Sequence, residues 1–417
     1  MRRPAAAIVG GVRSPFRSPL RGPWLTAVLG LVLLVGITLV AVTGLLSYAA
    51  YDPRLPGNDT TPNHGLTGLY LFDWPTRPSW IYAANQGVHV TLGIALVPVL
   101  LAKLWSVIPR LFMWPPAASP AHALERLSVA LLVGGGLFEF ATGIANVQVY
   151  YPFHFSFYVG HFYGAWVFLS AFAVHVVIKL PHARRALQVR GALRPLLDDL
   201  AHTRSEPPDE HGLAPTAPAA PTLSRRGLLG LVGGSSLALL LVTAGQSVGG
   251  PLRRLAWLAP HGRERHGDFQ INKTAASVGI TPEAVAGWEL ELVGARRMAL
   301  SRAALLRLPR SRQALPIACV EGWSTTQHWD GVPLPELAAL CGIPRPTGAR
   351  VESLQQRGSF RHVTLSGEQV GDPRSLLALR VNGADLTLDH GFPARIMVPG
   401  QPGVHQTKWV RRITFRA

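Results

Sequence analysis

The side chains best suited to chemistry in this sequence are one cysteine and three histidines. Cys319 lies in residues 318–324, which read Ala-Cys-Val-Glu-Gly-Trp-Ser. A cysteine thiolate is a soft ligand, and a bound metal ion deprotonates the thiol outright. His89, His161 and His175 lie inside long apolar segments, where ionisable side chains are costly and usually functional. The three histidines therefore predict a functional site within a membrane, and Cys319 is a separate candidate for thiol chemistry.

The cysteine content limits the kinds of site that the chain can build. Cys319 and Cys341 are the only two cysteines, too few for a disulfide framework. The absence of a Cys-x-x-Cys pair argues against zinc ribbons, thioredoxin-like sites and covalent c-type haem. Cys341 ends an apolar, helix-like run over residues 334–341, so we expect it to be a small buried hydrophobe.

Five apolar segments must position the three histidines. Each is long enough to cross a bilayer as a helix, which takes about 20 residues. They predict four transmembrane helices in residues 1–182, followed by a fifth, anchoring helix. The segments lie near residues 24–48, 81–108, 127–148, 153–180 and 227–245.

Arginines in the short loops predict the orientation of these helices. Five arginines and no acidic residue precede the first segment, and the loops after the second and fourth segments are also basic. The alternate loops are poor in lysine and arginine. Because basic loops stay in the cytoplasm, the N-terminus is predicted to be cytoplasmic and residues 250–417 to lie outside a cell membrane.

The chain carries a net charge of +17. A basic chain can bind nucleic acid, but here the arginines flank apolar segments and no basic helix or aromatic RNA-binding motif accompanies them. Topology signals and anionic lipid headgroups explain the charge better. We therefore expect the lipid bilayer, and not nucleic acid, as a partner.

A linker and a paired arginine precede the fifth segment. Residues 183–223 are predicted to form a cytoplasmic linker, because residues 202–223 are rich in proline and alanine. Arg225 and Arg226 then precede an apolar, glycine-rich segment within residues 224–249. This resembles an internal twin-arginine export signal, although positive-inside anchoring alone would also explain the two arginines.

His89 and His161 fall at one level of the predicted membrane. Each lies 20 residues before a proline near the inner end of its helix, Pro109 or Pro181. At about 1.5 Å per residue, that level is roughly 30 Å from the prolines, near the outer face. Two facing imidazoles at equal depth can ligate one b-type haem. The alternative is that these histidines only pack or bond to the backbone.

His175 lies 14 residues after His161, on the same face of its helix. A second haem would need a histidine near position 103, where the chain has Lys103. One haem held by His89 and His161 is therefore favoured, with His175 as a substitute ligand or part of a lower site. The arrangement loosely resembles the four-helix b-type cytochromes.

After residue 250 the pattern changes to that of a soluble, sheet-rich α+β domain. Residues 288–292 alternate like a half-buried strand. Residues 298–308 and 335–341 are predicted as short helices. Further strands are predicted over residues 350–354, 361–365, 376–381, 394–398 and 409–415.

Within this domain, residues 318–324 resemble the molybdenum-binding loop of the sulfite-oxidase superfamily, above all the methionine-sulfoxide reductase catalytic subunits. Further segments resemble that family's cofactor contacts in the same order. They are residues 269–274, 329–334, 382–386 with 390–395, and 404–410. The resemblance implies a molybdopterin cofactor and a sulfite-oxidase-type fold.

The resemblance also implies roles for single residues. Cys319 would be the protein ligand to molybdenum, and Lys408 would reach the pterin phosphate. Asn272, His390 and Arg395 would contact the pterin or its phosphate. The chain departs from the family at two places near the cofactor. Gln355 stands where relatives often carry Ser or Thr, and His390 stands where the reductase subunits have asparagine, which leaves the substrate open.

Together these features predict a membrane-bound molybdopterin-dependent oxidoreductase. It would transfer an oxygen atom between a small oxo-substrate and the metal, either reducing an S- or N-oxide or oxidising sulfite. A b haem would pass electrons to or from the quinone pool or another membrane carrier. The alternative is a membrane cytochrome that carries a non-catalytic binding or sensory module on the same fold. A proton-relaying transporter fits less well, because the helices lack broken, repeated halves.

Overall fold

The computed structural model describes residues 16–51, 72, 74–111, 119–209, 212–259, 269–271, 273–356 and 361–417. In this part of the chain, five helical spans are long and apolar enough to cross a membrane. The second span is assigned as two consecutive helices. The helices are α1 (Pro23–Tyr51), α2 (Ile81–Ala95), α3 (Val97–Leu111), α4 (Pro120–Val147), α5 (Phe157–Arg190) and α6 (Arg225–Val248).

The chain divides into two compact units that both draw on these helices. The first comprises Met1–Val35, Leu96–Leu132 and Ser170–Ser236, and the second comprises Gly36–Ala95, Val133–Leu169 and Leu237–Ala417. Helices α1, α4, α5 and α6 are each divided between the two units, whereas α2 belongs to the second unit and α3 to the first.

In the first unit, part of the predicted linker is buried. The Glu206 carboxylate is 6% exposed and accepts hydrogen bonds from the Trp24 backbone N–H at 3.2 and 3.3 Å. Arg225, the first of the paired arginines, is fully buried and donates to the Arg204 carbonyl at 2.6 Å. Buried polar groups need such partners, so these bonds tie the segment before α6 to the start of α1.

Besides its share of the long helices, the described part of the second unit contains two five-stranded sheets and three short helices. The first sheet has the order β2–β1–β10–β5–β6, and the second has the order β3–β4–β7–β8, with β9 also paired to β7. The strands are β1 (Glu289–Val293), β2 (Arg297–Ser301), β3 (Ser311–Ala318), β4 (Ser324–Pro333), β5 (Gly348–Ser353), β6 (His362–Ser366), β7 (Leu376–Val381), β8 (Ala384–Asp385), β9 (Arg395–Met397) and β10 (Val410–Arg416). The short helices are α7 (Arg302–Arg307), α8 (Leu334–Leu340) and α9 (Gly367–Gly371).

The first sheet buries one face against the short helices. Leu290 and Leu292 of β1, Val351 of β5 and Ile413 of β10 are fully buried in one apolar cluster. Their alternate spacing follows from the two-residue period of a strand. Cys341 lies in the same cluster at 0% exposure, which confirms that it is a buried hydrophobe.

The α+β architecture after the apolar helices is confirmed, with two local differences. Residues 298–308 were expected to be one helix, but Arg297–Ser301 form strand β2 and the helix begins at Arg302. Pairing of β2 with β1 explains this difference. The hairpin of β3 and β4 was not predicted.

Candidate functional site

A tight loop between β3 and β4 presents Cys319. The two strands pair down to Ala318 and Ser324, so five residues close the hairpin. The Cys319 N–H donates to the Trp323 carbonyl, and the Gly322 N–H donates to the Cys319 carbonyl, both at 3.0 Å. Gly322 has φ +91°, a conformation that favours glycine. The sequence therefore makes a rigid loop with the thiol at its first position.

The thiol lines a small cavity in the second unit. Cys319, Trp323 and Ala318 come from the loop and the end of β3, and basic side chains come from the opposite wall. The lining residues are Gln270, Ile317, Ala318, Cys319, Trp323, His390, Arg395, Gly403 and Lys408. The cavity brings together Cys319, His390, Arg395 and Lys408, four of the residues that the sequence predicted as a site.

Arg395 places a buried charge on this wall. Its side chain is 1% exposed and donates to the carbonyls of His390 at 3.0 Å and Gln406 at 3.3 Å. Its Nε has no hydrogen-bond partner among the described residues, and no described carboxylate forms an ion pair with it. Burial lowers the pKa of Arg395 to about 9. A cation in this position needs an anion that the described protein does not supply.

Lys408 adds a second cation beside Arg395. Its Nζ donates to the carbonyls of Lys273 at 2.7 Å and Asp389 at 2.8 Å. Burial, followed by the charge of Arg395, lowers the pKa of Lys408 to about 7. One buried and one partly buried cation in the same cavity as a thiol suit a ligand that has both a phosphate and a metal. The residues therefore fit a metal-bearing pterin phosphate.

A glycine allows the two basic side chains to approach. Gly391 has φ +107°, and a Cβ at this position would lie 3.2 Å from the Cβ atoms of both Arg395 and Lys408. Such contacts are tighter than ordinary van der Waals packing, so a larger residue would push the basic chains apart. The Gly391 position was visible in the sequence motif, but its packing role was not.

His390 is held on both sides of its ring. Its Nδ1 bonds to Thr387 Oγ1 at 2.8 Å and its Nε2 to the Phe269 carbonyl at 3.2 Å. The ring also lies 3.9 Å from the Phe269 ring, centroid to centroid. Because these contacts fix its orientation, His390 forms a rigid part of the wall.

Two predicted cofactor contacts are not among the described residues that line this cavity. Gln355 is buried just after β5, and its backbone N–H donates to Ser353 Oγ at 3.1 Å. It is not among the described residues that line the cavity. Asn272 lies outside the described residues. Gln270 and Trp323 line the cavity but were not singled out, although both fall within the recognised motifs.

His89 and His161 also come together in the second unit. Their ring centroids are 6.4 Å apart and their planes are inclined by 84°. His89 lies in α2, where its Nδ1 contacts the Val40 carbonyl at 2.9 Å and Thr43 Oγ1 at 3.2 Å. A hydrogen bond from Nδ1 to a carbonyl fixes the tautomer and leaves Nε2 as the available acceptor.

His161 has a similar set of partners on α4. Its Nδ1 contacts Thr142 Oγ1 at 3.0 Å and the Glu139 carboxylate at 3.1 Å. Its ring stacks on Phe157 at 5.0 Å. Both histidines thus use Nδ1 to bind the protein. Glu139 and Thr142 were not predicted, since single polar residues in an apolar helix do not reveal which neighbour they face.

His175 and Lys103 belong to the first unit. His175 lies further along α5 than His161, and Lys103 lies in α3. The Lys103 Nζ donates to the Thr26 carbonyl of α1 at 2.6 Å. The pair that the structure brings into contact is therefore His89 with His161.

Comparisons with known proteins agree with the residues that line the cavity. Residues 278–417 match the family described as oxidoreductase molybdopterin binding domain. A nitrate reductase [NADH] from Brassica napus is 39% identical over 99 residues, which cover 21% of this chain and 11% of that protein. A nitrate reductase [NADPH] from Phytophthora infestans is 36% identical over 94 residues, with 21% and 10% coverage.

A solved structure is also similar in part. The sulfane dehydrogenase SoxCD from Paracoccus pantotrophus has 26% sequence identity and a TM-score of 0.29, with 38% of this chain and 43% of that chain covered. The chain spans about a tenth of the length of the nitrate reductases that it matches. Residues 278–417 are therefore a molybdopterin-binding oxidoreductase domain, and five long apolar helical spans precede it in the part of the chain that the structure describes.

Proposed function

We propose that this protein is a membrane-bound oxidoreductase that transfers an oxygen atom to or from a small substrate at a molybdenum held by Cys319. Electrons would pass through a haem between His89 and His161, to or from quinone or another membrane carrier. The observation that carries the first part is the cavity that Cys319 lines together with a buried cation, Arg395, and a partly buried one, Lys408.

The molybdopterin would supply a metal that changes its oxidation state by two electrons while an oxygen atom is exchanged. Cys319 would hold this metal as a thiolate, and its tight loop would keep the sulfur at one position. Arg395 and Lys408 would bind the phosphate through charge-assisted hydrogen bonds. His390 would form a fixed wall beside the pterin. Asn272 and Gln355 stay predictions drawn from the family resemblance.

Burial of the cations supports an anionic ligand. The Arg395 Nε has no partner among the described residues, so it can donate a hydrogen bond to a bound phosphate. Lys408, with its pKa near 7, would regain its full charge when an anion binds beside it. Cofactor binding would thus offset the electrostatic free-energy cost of keeping these cations away from water.

The geometry of the histidine pair supports the haem. Imidazoles that bind one metal ion from opposite sides, with metal–nitrogen distances of about 2 Å, have ring centroids about 6 Å apart. The separation of His89 and His161 is 6.4 Å. Glycines face both rings: a Cβ on Gly44 would lie 3.0 Å from the His89 ring, and one on Gly143 3.6 Å from the His161 ring. Small residues there leave room for a flat macrocycle.

The predicted topology completes the proposal. With a cytoplasmic N-terminus, the second unit would lie at the outer face of the cell membrane, and the basic loops would face anionic lipid inside. The paired arginines at the start of α6 would help to export the folded domain with its cofactor. The direction of catalysis that we favour is reduction, because the matched relatives are named nitrate reductases.

Metal analysis of the full-length protein tests this proposal. We expect about one molybdenum and one iron per chain, because one thiol and one histidine pair are available. The Cys319→Ser variant should lose molybdenum and keep iron. The His161→Ala variant should lose the haem spectrum, whereas His182→Ala on the same helix should keep it.

Two results would contradict the proposal in different ways. Iron without molybdenum, in a host that makes the cofactor, would leave a membrane cytochrome with a binding module. Molybdenum without haem would leave the oxidoreductase and remove the fused electron path. An unchanged haem spectrum in His161→Ala would refute only the ligand assignment.

A further inference from the structure

Three helices each give one polar side chain to the loop that carries Cys319. From α2, Gln86 Nε2 donates to the Val320 carbonyl at 2.7 Å. From α4, Asn146 Nδ2 donates to the same carbonyl at 3.3 Å. From α6, Ser247 Oγ donates to the Gly322 carbonyl. All of these residues lie in the second unit. The helices therefore hold the loop through hydrogen bonds to its backbone carbonyls.

The two amides are oriented for this contact. Ser47 Oγ donates to Gln86 Oε1 at 2.8 Å, and Tyr151 OH donates to Asn146 Oδ1 at 3.0 Å. Because a hydroxyl occupies each amide oxygen, each NH₂ group is left to face the carbonyl. Gln86 is 3% exposed and Asn146 4% exposed. Buried amides are costly unless bonded, so these positions bind the loop specifically.

Apolar packing brings the loop close to the helices. A Cβ on Gly322 would lie 2.8 Å from Val90 of α2, so only glycine fits against this side chain. Ala318 is buried in one cluster with Tyr51 and Tyr82, and Val320 packs on that cluster. The loop and the end of β3 thus pack directly against α1 and α2.

The gripping residues are neighbours of the histidine pair in sequence. Gln86 is one turn before His89 in α2. Asn146 is four residues after Thr142, whose hydroxyl contacts His161 Nδ1. At about 1.5 Å per residue, each amide is only about 4–6 Å along its helix from a residue of the histidine site. The carbonyl next to Cys319 is therefore linked to both sides of that site.

We propose that Gln86 and Asn146 are positioning residues that hold the Cys319 loop in electronic contact with the His89–His161 pair. This inference rests on the proposed function. With both cofactors bound, His89 and His161 would hold the haem that gives up one electron and Cys319 would hold the metal that accepts it; in the opposite direction the donor and the acceptor would exchange places. No atom or proton moves along the amides.

The first test measures the loop itself in the full-length protein. Gln86→Met keeps the length of the side chain and removes the donor. The amide hydrogens of Cys319 and Gly322 report opening of the loop, because both bond within it. We expect about fivefold faster hydrogen exchange in Gln86→Met, and about thirtyfold faster exchange when Asn146→Leu is added.

A matched control uses the same substitution at another buried amide. Gln246 of α6 is 1% exposed, and its Nε2 has no hydrogen-bond partner among the described residues. Gln246→Met should leave exchange in the loop unchanged. The proposed role of Gln86 would be wrong if the loop amides exchanged at the same rate in Gln86→Met as in the wild-type protein. It would also be wrong if Gln246→Met accelerated their exchange as much as Gln86→Met does.

The second test separates positioning from a merely structural role. A light flash photoreduces deazaflavin, which in turn reduces the haem. The absorbance of the haem then reports the loss of its electron to the metal on Cys319. Gln86→Met should slow this phase, while the spectrum and midpoint potential of each centre stay at their wild-type values. Gln246→Met should keep the wild-type rate. An unchanged rate in Gln86→Met would refute the inference.

The outcomes distinguish this inference from the proposed function. If the wild-type protein lacks haem or molybdenum, the proposed function fails and no transfer phase exists. If both metals are bound but Gln86→Met transfers electrons at the wild-type rate, the proposed function stands and the positioning role is wrong.

Discussion

Replacement of Arg395 by methionine should have opposite consequences for the protein with and without its cofactor. Methionine keeps the unbranched shape and removes the charge. The side chain is 1% exposed, and no described carboxylate pairs with it. In the cofactor-free protein the guanidinium is a buried charge without a carboxylate partner among the described residues, whereas under the proposed function it would face a phosphate in the cofactor-bound protein.

The magnitude follows from the contacts of the side chain. The pKa of Arg395 falls from 12.5 to about 9, and at about 1.4 kcal/mol per pKa unit the buried charge costs on the order of 5 kcal/mol. Its hydrogen bonds to the carbonyls of His390 and Gln406 offset this by about 1.5–3 kcal/mol each. Without cofactor, Arg395→Met should therefore change the free energy of unfolding by less than about 2 kcal/mol.

With cofactor bound, the same substitution leaves a buried phosphate without its partner. Loss of one member of a buried ion pair costs about 3–5 kcal/mol. For a domain of this size, each kcal/mol shifts Tm by about 2–4 °C. The variant should therefore lose about 6–20 °C in Tm when the cofactor is present, and far less when it is absent.

Thermal unfolding checks this prediction, with protein made in hosts that can and cannot synthesise the pterin. Tryptophan fluorescence is a suitable signal, because the Arg395 guanidinium lies 5.1 Å from the Trp329 ring. Arg380→Met is the control: Arg380 forms an exposed ion pair with Asp385 at 3.0 Å, so its loss should cost under about 1 kcal/mol in both forms. Equal destabilisation of Arg395→Met in both forms would refute the phosphate-binding role.

Three further predictions concern single residues. Cys319→Ser should keep the fold and lose molybdenum, whereas Cys341→Ser should keep molybdenum and lose about 1–3 kcal/mol of stability, because it buries a hydroxyl at 0% exposure; metal content and Tm test this, and the reverse pattern would contradict it. Gly322→Ala should lower the free energy of unfolding by about 1–3 kcal/mol, because φ is +91° and the new Cβ would meet Val90. In a double-mutant cycle, Val90→Ala should relieve only the steric part of this loss. A coupling energy of zero between the two substitutions would contradict the contact. Lys408 has a pKa of about 7 in the folded protein against 10.5 when unfolded, so the unfolded chain binds more protons between these values and the stability of the cofactor-free protein should rise with pH over this range; Lys408→Met should flatten the rise, and a wild-type profile in that variant would rule Lys408 out.

The apolar helices and much of the sheet were predictable from local patterns. Hydropathy located all five spans to within a few residues at most ends, because a long apolar run is a strong signal. Strand β7 was predicted with its observed bounds, Leu376–Val381, since five of its six residues are buried and apolar. Helix α5 continues through Pro181 to Arg190, beyond the apolar run that predicted it.

The hairpin of β3 and β4 could not be predicted in the same way. Strand β4 begins with Ser, Thr, Thr, Gln and His, which do not alternate between apolar and polar residues. It is a strand because β3 and β7 pair with it on both sides. Such pairing depends on tertiary contacts that outweigh local preference.

In the site, too, single residues could be recognised from the sequence, whereas their contacts could not. The run around Cys319 and the basic residues Arg395 and Lys408 could be recognised from the sequence alone. The sequence alone did not reveal the electrostatic coupling of these residues or the hydrogen bonds that hold the Cys319 loop. Gln86 and Asn146 are 234 and 174 positions from Val320 in the sequence. An amide in an apolar helix carries no signal that names so distant a partner.

The position of the last strand has a consequence for the biogenesis of this domain. Strand β10 lies in the middle of the first sheet, parallel to β1 and antiparallel to β5. Neither neighbour can complete its hydrogen bonds until residue 416 has left the ribosome, and Lys408 comes only two residues before β10. The first sheet can therefore be completed only after β10 has been synthesised, and a protease or chaperone would meet any shorter nascent chain with the central strand missing.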